Sequence, residues 1–530
     1  MPLTIHPLPL SGNRFTRAYL QRDPRALAVL GVDPYQPEEF DRRAEAIERE
    51  FPRERRERMA TFLEPVGSKA QDALRRWVEE GGAMVTTGQQ PGLFGGPLYT
   101  VYKTVAALAL AAQLEARWQR PVVPVFWIAS EDHDWDEVAT VHLLTPEGRP
   151  LPVVAPPADA VPRPLAERPF GASLETAVAT VTHLIVEQPF GNSLLESLAD
   201  AYRPGRTPAE SFRRWWAWLW RETPLCLVDA AHPALKAASR AVLRAEAERG
   251  AEHARRLRAH AYTLRAAGFR LQVGLPPHAS NLMYHGPDGR ERLYRRDGEW
   301  VAARSGTRLS LTELLRLIEE APGVLSPNVL LRPIVERACL PTVAYVAGPA
   351  ELAYYAQLPP LYDAFDLVLP VPVPRLSAVL VYPDTARELI QLGLRVEEAL
   401  APEPMARRCW AERNAPRSVQ ERLGALRRSL VAGYDDLADA ARTIDPNLGA
   451  AIARLRNRAL WTTTEAERSI LRHWAQRQQD ALRRLTRVRA VLRPLDQPQE
   501  RVLSPLPFLA LDGPDLLIRL RSAATWPPLA

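Results

Sequence analysis

AMVTTG (83–88), QQPGLFGGPLYT (89–100) and PVVPVFWIA (121–129) decide the fold of this 530-residue chain. The first is a short apolar strand that runs into a loop holding Gly92, Gly95 and Gly96. From Leu98 the apolar positions Val101, Val105, Leu108 and Ala112 keep helical spacing. The last stretch is continuously apolar, with β-branched and aromatic residues, as a strand buried on both faces requires. Strand, glycine-rich loop, helix, buried strand is a βαβ unit of a parallel sheet.

The flanks extend this α/β reading. Residues 36–81 read as charged amphipathic helices, and 145–172, rich in Pro and Ala, as a linker or surface excursion. PLCLVDA (224–230) reads as another core strand, followed by a long helix to about Gly268. Turn signals at 287–289 and 296–298 predict a small antiparallel meander within 269–304. Residues 328–358 give helix, strand TVAYVAG, turn and helix. The expected catalytic core therefore spans 1–375, with inserted elements at about 145–220 and 269–304. Beyond it, 376–500 is almost wholly helical, and 501–530 returns to the core. Val419, Leu423, Leu426, Leu430, Leu437 and Ile444 form one apolar series; Ile470, Trp474, Ala481, Leu485, Val488 and Leu492 form a second. An uninterrupted helix over 447–493 would reach roughly 70 Å, so an antiparallel coiled-coil arm turning near Asp445–Asn447 is expected. A seam of leucines facing water predicts a homodimer.

Composition narrows the function classes. No run of about 18 apolar residues occurs, and MPLTIHPLPLSGNRF has no signal-peptide pattern, so a cytoplasmic protein without a membrane partner is expected. Cys226, Cys339 and Cys409 are too dispersed for a zinc site or a disulfide framework. Cysteine chemistry would then concern a substrate. The net charge is +6, but basic residues are interleaved with acids, which argues against nucleic acid as a partner. Lysine occurs only at Lys69, Lys103 and Lys236; arginine supplies the rest. The Trp215–Trp220 cluster is expected to be core.

Three strings can carry chemistry. In the first, Gly88, Gln89, Gln90 and Gly96 stand at the carboxyl end of a buried strand, where backbone N–H groups can approach an anionic or polar ligand. Lys103 lies one to two turns into the next helix. There is no Gly-Lys-Ser/Thr, so this is not a Walker loop. The second, Glu131–Asp132–His133–Asp134 with Asp136 and Glu137, follows a buried strand directly. Acids crowded around a histidine shift one another's pKa, which serves a site more often than a fold. His133 is the candidate base, with Glu131, Asp132 and Asp134 the other catalytic candidates. A metal-dependent hydrolase or phosphoesterase is the alternative reading, although no metal is assigned. The third comprises Asn328, Arg332, Glu351, Tyr354 and Gln357, placed to orient a sugar or an amino acid by hydrogen bonds. A coiled-coil scaffold without activity is a further alternative.

TGQQPGLFGGPLYTVYK (87–103), PVVPVFWIASEDHDWDEV (121–138) and SPNVLLRPIVERACLPTVAYVAGPAELAYYAQL (326–358) resemble, in order, the characteristic segments of the bacillithiol biosynthesis cysteine-adding enzymes, the BshC family. NLM with GRERL (281–293) and PQERVL (498–503) resemble it as well. Ala350 departs from the family's usual Gly-Pro-Gly-Glu turn. The resemblance implies a Rossmann-like core with insertions and a coiled coil that pairs two subunits. It implies a ligase that joins the carboxyl of cysteine to the amine of glucosaminyl-malate, forming a low-molecular-weight thiol. Because a carboxylate does not form an amide readily in water, an activated species is expected, with ATP or ADP the cofactor considered.

Overall fold

The computed structural model describes residues 2–286 and 288–529, which form two compact units. The larger comprises 5–143, 151–379 and 500–530. Its centre is a sheet whose parallel strands are β1 (Ala83–Gln89), β2 (Val122–Ile128), β3 (Cys226–Asp229), β4 (Thr342–Ala347) and β5 (Val371–Pro374). Their spatial order is 3-2-1-4-5, with Glu64–Pro65 added antiparallel outside β3. This is the Rossmann order, in which the chain leaves the middle in opposite directions from β1 and β4. A crevice therefore opens at the carboxyl ends of those two strands.

Local chemistry fixes these elements. β1 starts after Gly81 and Gly82, both at positive φ; a Cβ on Gly82 would stand 2.1 Å from the Pro121 carbonyl oxygen. β1 and β2 pair in register from Ala83–Val122 to Gln89–Ile128, and both are buried almost throughout. The helix α1 (Leu98–Trp118) is buried along most of its length and ends at Gln119 in the left-handed conformation. The sequence reading missed β5. Its Val-Pro-Val-Pro lacks N–H groups a central strand would need, and only an edge position tolerates that.

Two insertions interrupt the sheet. Between β2 and β3 the chain ends in α2 (Pro208–Trp220), whose Trp215, Trp216 and Trp220 are fully buried. The stretch expected as a surface linker is partly core: Leu165 and Phe170 are buried, and the Leu165 N–H donates to the Asp132 carbonyl at 2.7 Å. Apolar residues scattered among prolines gave no periodic signal there. Between β3 and β4 come α3 (Pro233–Ala266) and an antiparallel sheet including Ala279–Gly286, Gly289–Arg296 and Glu299–Ala302. Asp297 and Gly298, both at positive φ, make the tight turn between the last two of these strands. α4 (Arg332–Cys339) leads into β4, and α5 (Pro349–Tyr355) leaves it.

The smaller unit comprises residues 1–4, 144–150 and 380–499. α6 (Arg417–Arg442) and α7 (Leu448–Gln476) form its hairpin. The ion pairs Arg427–Glu467 and Arg456–Asp435 fix the antiparallel register. At the turn the Asn447 N–H donates to Asp445 Oδ1 at 2.8 Å. The expected uninterrupted helix over 447–493 is corrected. The chain leaves helical geometry at Gln478 (φ −96°, ψ 59°) and restarts as α8 (Gln479–Leu492). α7, with 29 residues, is about 44 Å long. Leu485 and Leu492, expected on an open seam, are buried, and α8, which carries them, packs against Pro383–Leu392 and Val396–Leu400. The 3.5-residue pattern cannot distinguish a seam filled by the same chain from one left open.

Candidate active site

A cavity of about 370 Å³ lies in the crevice at the ends of β1, β2 and β4. The three strings meet there: Gly88, Gln89 and Gln90 from the first, Glu131 and Asp132 from the second, Asn328, Arg332, Glu351 and Tyr354 from the third.

Lys103 and Glu351 form its buried floor. Lys103 Nζ donates to Glu351 Oε2 at 2.6 Å, to the Gly88 carbonyl at 2.7 Å and to Gln89 Oε1 at 3.2 Å. Glu351 Oε1 accepts from the Tyr345 hydroxyl at 2.7 Å, and its Oε2 from the Gly348 N–H at 2.7 Å. Burial pushes the Lys103 ammonium below its ordinary value against the pull of Glu351. Burial alone would raise Glu351, but Lys103, the Gly348 N–H and the Tyr345 hydroxyl outweigh it and hold the carboxyl low. The turn at Ala350, which departs from the family pattern, is closed by Glu351 itself.

Arg332 forms one wall. Its guanidinium lies between the rings of Trp127 and Tyr345, 5.6 and 5.2 Å from their centroids, within cation–π range. Nη1 donates to Glu336 Oε2 at 2.5 Å, and the other oxygen of Glu336 accepts from the Thr86 hydroxyl. Nη2 is buried and makes no hydrogen bond of good geometry among the described residues, the Tyr354 hydroxyl being a polar neighbour of the guanidinium. Buried donors are almost always satisfied, so this one needs an explanation. Asn328 is committed to structure. Its Oδ1 accepts from the N–H groups of Leu330 and Leu331, at 2.9 and 3.0 Å.

The acid-rich string stays together only in part: Glu131, Asp132 and Glu137 line the cavity, and Gln90 Nε2 donates to both Asp132 and, at 2.7 Å, Glu137 Oε2. The string leaves β2 in a tight turn. Glu131 is ion-paired with Lys236. Asp134 caps the short helix Trp135–Val138 and does not line the cavity. Asp132 does: Oδ2 accepts from Gln90 Nε2 at 2.8 Å, while Oδ1 accepts from the His133 N–H at 2.8 Å and lies 3.5 Å from Arg290. Burial would raise its carboxyl; the hydrogen bonds from His133 and Gln90 and the Arg290 charge reverse this and hold it well below the usual range. His133 stands just behind, Nδ1 3.4 Å from Asp132, and does not itself line the cavity. Among the described residues no cluster of three or more His, Cys, Asp and Glu is arranged to hold a metal ion.

Two expected ligand residues serve the fold. Gln357 holds the bend at Gln272 and Val273, accepting from both N–H groups and donating to the Val273 carbonyl. Gly96 sits at φ 71° in the loop, outside the cavity lining. The loop is not a phosphate cradle, because the N–H groups of Gly92, Gly95, Gly96 and Leu98 all donate to backbone carbonyls. Gly95 makes room for α2: a Cβ there would stand 2.3 Å from the Trp215 ring.

The sequence reading missed Arg290, Arg375 and Arg501, all in the cavity lining. Arg290 and Arg501 lie inside GRERL and PQERVL, so a signal existed. Lysine scarcity was another: Lys103 and Lys236 are both buried at ion pairs of this site. Cys226 and Cys339 are buried free thiols pushed up to about 12 by burial, and so are inert.

Family profiles match the whole arrangement. Residues 1–376 match the bacillithiol biosynthesis BshC N-terminal Rossmann-like domain, and 378–525 the BshC C-terminal coiled-coil domain. A protein of Salinibacter ruber named “Putative cysteine ligase BshC” is 33% identical over 446 residues, 83% of this chain and 80% of that protein. One of Solibacter usitatus with the same name is 31% identical over 490 residues, covering 91% and 90%. The corresponding protein of Anoxybacillus flavithermus is 30% identical over 449 residues, 82% of each chain.

Proposed function

The chain belongs to the bacillithiol biosynthesis BshC family, and from that premise we propose that this ligase joins the carboxyl of cysteine to the amine of glucosaminyl-malate in the cavity between β1 and β4. The observation that carries the reading is Arg332 Nη2, a buried donor in the cavity wall without a hydrogen bond of good geometry. An anionic substrate group satisfies it, and glucosaminyl-malate brings two carboxylates. Asp132, held ionised beside Gln90, supplies the opposite charge for an ammonium or attacking amine. When the amine nitrogen bonds to the acyl carbon, the leaving group departs with its electron pair and the nitrogen sheds a proton. The proposal assigns that proton to the Asp132–His133 pair, of which Asp132 lines the cavity and His133 stands behind it.

Amide formation needs an activated carboxyl, and an ATP-derived acyl species meets that chemical need. The glycine loop offers no phosphate cradle for the nucleotide.

The proposal extends to a homodimer through the α6–α7 hairpin. Leu437, Ile444, Leu455 and Trp461 expose apolar surface there, Ile444 by 82% and Trp461 by 63%.

The reading is tested with purified protein given cysteine, glucosaminyl-malate and ATP, with mass spectrometry of the products. Wild type yields the amide. Arg332→Ala lowers kcat/KM by about a hundredfold, the scale of a lost charged hydrogen bond. Undiminished kcat/KM in a folded Arg332→Ala protein refutes its role.

A further inference from the structure

Behind the cavity lies a buried ionisable pair that the chemistry above does not use. Glu246 and His253, both on α3, have fully buried side chains, and His253 Nδ1 is 2.6 Å from Glu246 Oε2. His253 Nε2 has no hydrogen-bond partner among the described residues, and the ring packs on Phe365 at 4.7 Å. Nδ1 is thus committed to Glu246, while Nε2 faces an apolar setting.

The other oxygen of Glu246 points toward the site. Oε1 accepts from both the backbone N–H and the side-chain Nδ2 of Asn281, each at 3.1 Å. Fixing Nδ2 there turns Asn281 Oδ1 outward, where it accepts from Asn328 Nδ2 at 2.9 Å. The Asn328 N–H donates to the Asn281 carbonyl at 2.8 Å. That leaves Asn328 Oδ1 facing the N–H groups of Leu330 and Leu331, immediately before Arg332. Each amide has its donor and acceptor ends set by the one before, so the sequence of bonds has a single polarity from Glu246 to the start of α4.

We infer that Glu246 and His253 are positioning residues for the ligase reaction: through Asn281 and Asn328 they seat the start of α4 and thereby hold the Arg332 guanidinium in the cavity wall. The inference rests on the reading of Arg332 as the anion-binding arm. A buried carboxylate is costly where an apolar pair could tie α3 to its neighbours. What an apolar pair could not do is orient two amides in series.

Asn281 is the residue to change, because it links the pair to Asn328 and lies outside the cavity lining. Asn281→Ala is expected to raise KM for glucosaminyl-malate about tenfold with a smaller change in kcat, the scale of one lost buried hydrogen bond. In an Arg332→Lys background the same change is expected to raise KM by less than about twofold, because both act on one contact. An equal factor in both backgrounds, or an unchanged KM in folded Asn281→Ala protein, overturns the inference. Where Asn281→Ala does not fold, Asn281→Ser carries the same comparison. Should wild type form no amide, the functional reading fails instead. The crystal structure of the Asn281 variant then decides the inference: Arg332 displaced from between Trp127 and Tyr345 supports it, and Arg332 in place overturns it.

Discussion

Asp132 shows how the site sets charge one residue at a time. Partly buried, it would favour protonation, yet three neighbours keep it ionised. A carboxyl depressed in the folded state stabilises the protein above its unfolded value of about 4. That contribution is lost as pH falls through the lower folded value. Thermal midpoints measured between pH 5 and 2.5 are therefore expected to fall more steeply in wild type below pH 4 than in Asp132→Asn. The difference in slope is up to about 1.4 kcal/mol per pH unit. Parallel curves would show that Asp132 titrates alike in both states. Above pH 5 the group stays anionic, so an acid limb of activity in that range belongs to another residue. Lys103 was legible as a candidate from its place one to two turns into the helix after the glycine loop, but its bond to Glu351, 248 positions away in sequence, was not. Periodicity reports which face a residue occupies, never which distant element it meets.

At the scale of elements, the strand–loop–helix signal was strong because both strands are buried on two faces and glycines punctuate the turn. What the loop does was read only in part: Gly88, Gln89 and Gln90 line the cavity, and Gly96 does not. Its glycines permit close packing of α2 and tight backbone turns, and only Gly88 meets the cavity. Gly95→Ala should accordingly lower the melting temperature by several degrees, since the new Cβ meets Trp215 and the backbone sits at φ 89°. KM in the residual folded protein should stay near wild type. A stable Gly95→Ala protein with a raised KM would return the loop to ligand binding. The acid-rich string was found for a sound electrostatic reason, yet the tight turn after β2 splits its members among Lys236, Gln90 and a helix cap. Crowded charge identifies the place and leaves each role to the backbone path. β5 escaped notice because its prolines read as loop, and only its edge position makes them tolerable.

At the scale of the molecule, the sheet order 3-2-1-4-5 brings three strings far apart in sequence to one crevice, which no single string could announce. The helical region was legible as a hairpin from Pro446 and its flanking apolar series. The break at Gln478 was not, because neither proline nor glycine marks it. With Leu485 and Leu492 buried in their own unit, Leu437 and Leu455 on the hairpin carry the association test. Light scattering at micromolar concentration is expected to give a dimer for wild type and a monomer for Leu437→Glu with Leu455→Glu. A monomeric wild type refutes the pairing, and a dimeric double variant places it elsewhere. The central claim, amide formation by the crevice, is tested most directly in cells. A bacillithiol-producing strain deleted for its own family member is supplied with this chain or its Arg332→Ala form, and its thiols are quantified. The account predicts bacillithiol restored by wild type and glucosaminyl-malate accumulating with Arg332→Ala. Full expression of wild type with glucosaminyl-malate accumulating and no bacillithiol would contradict it.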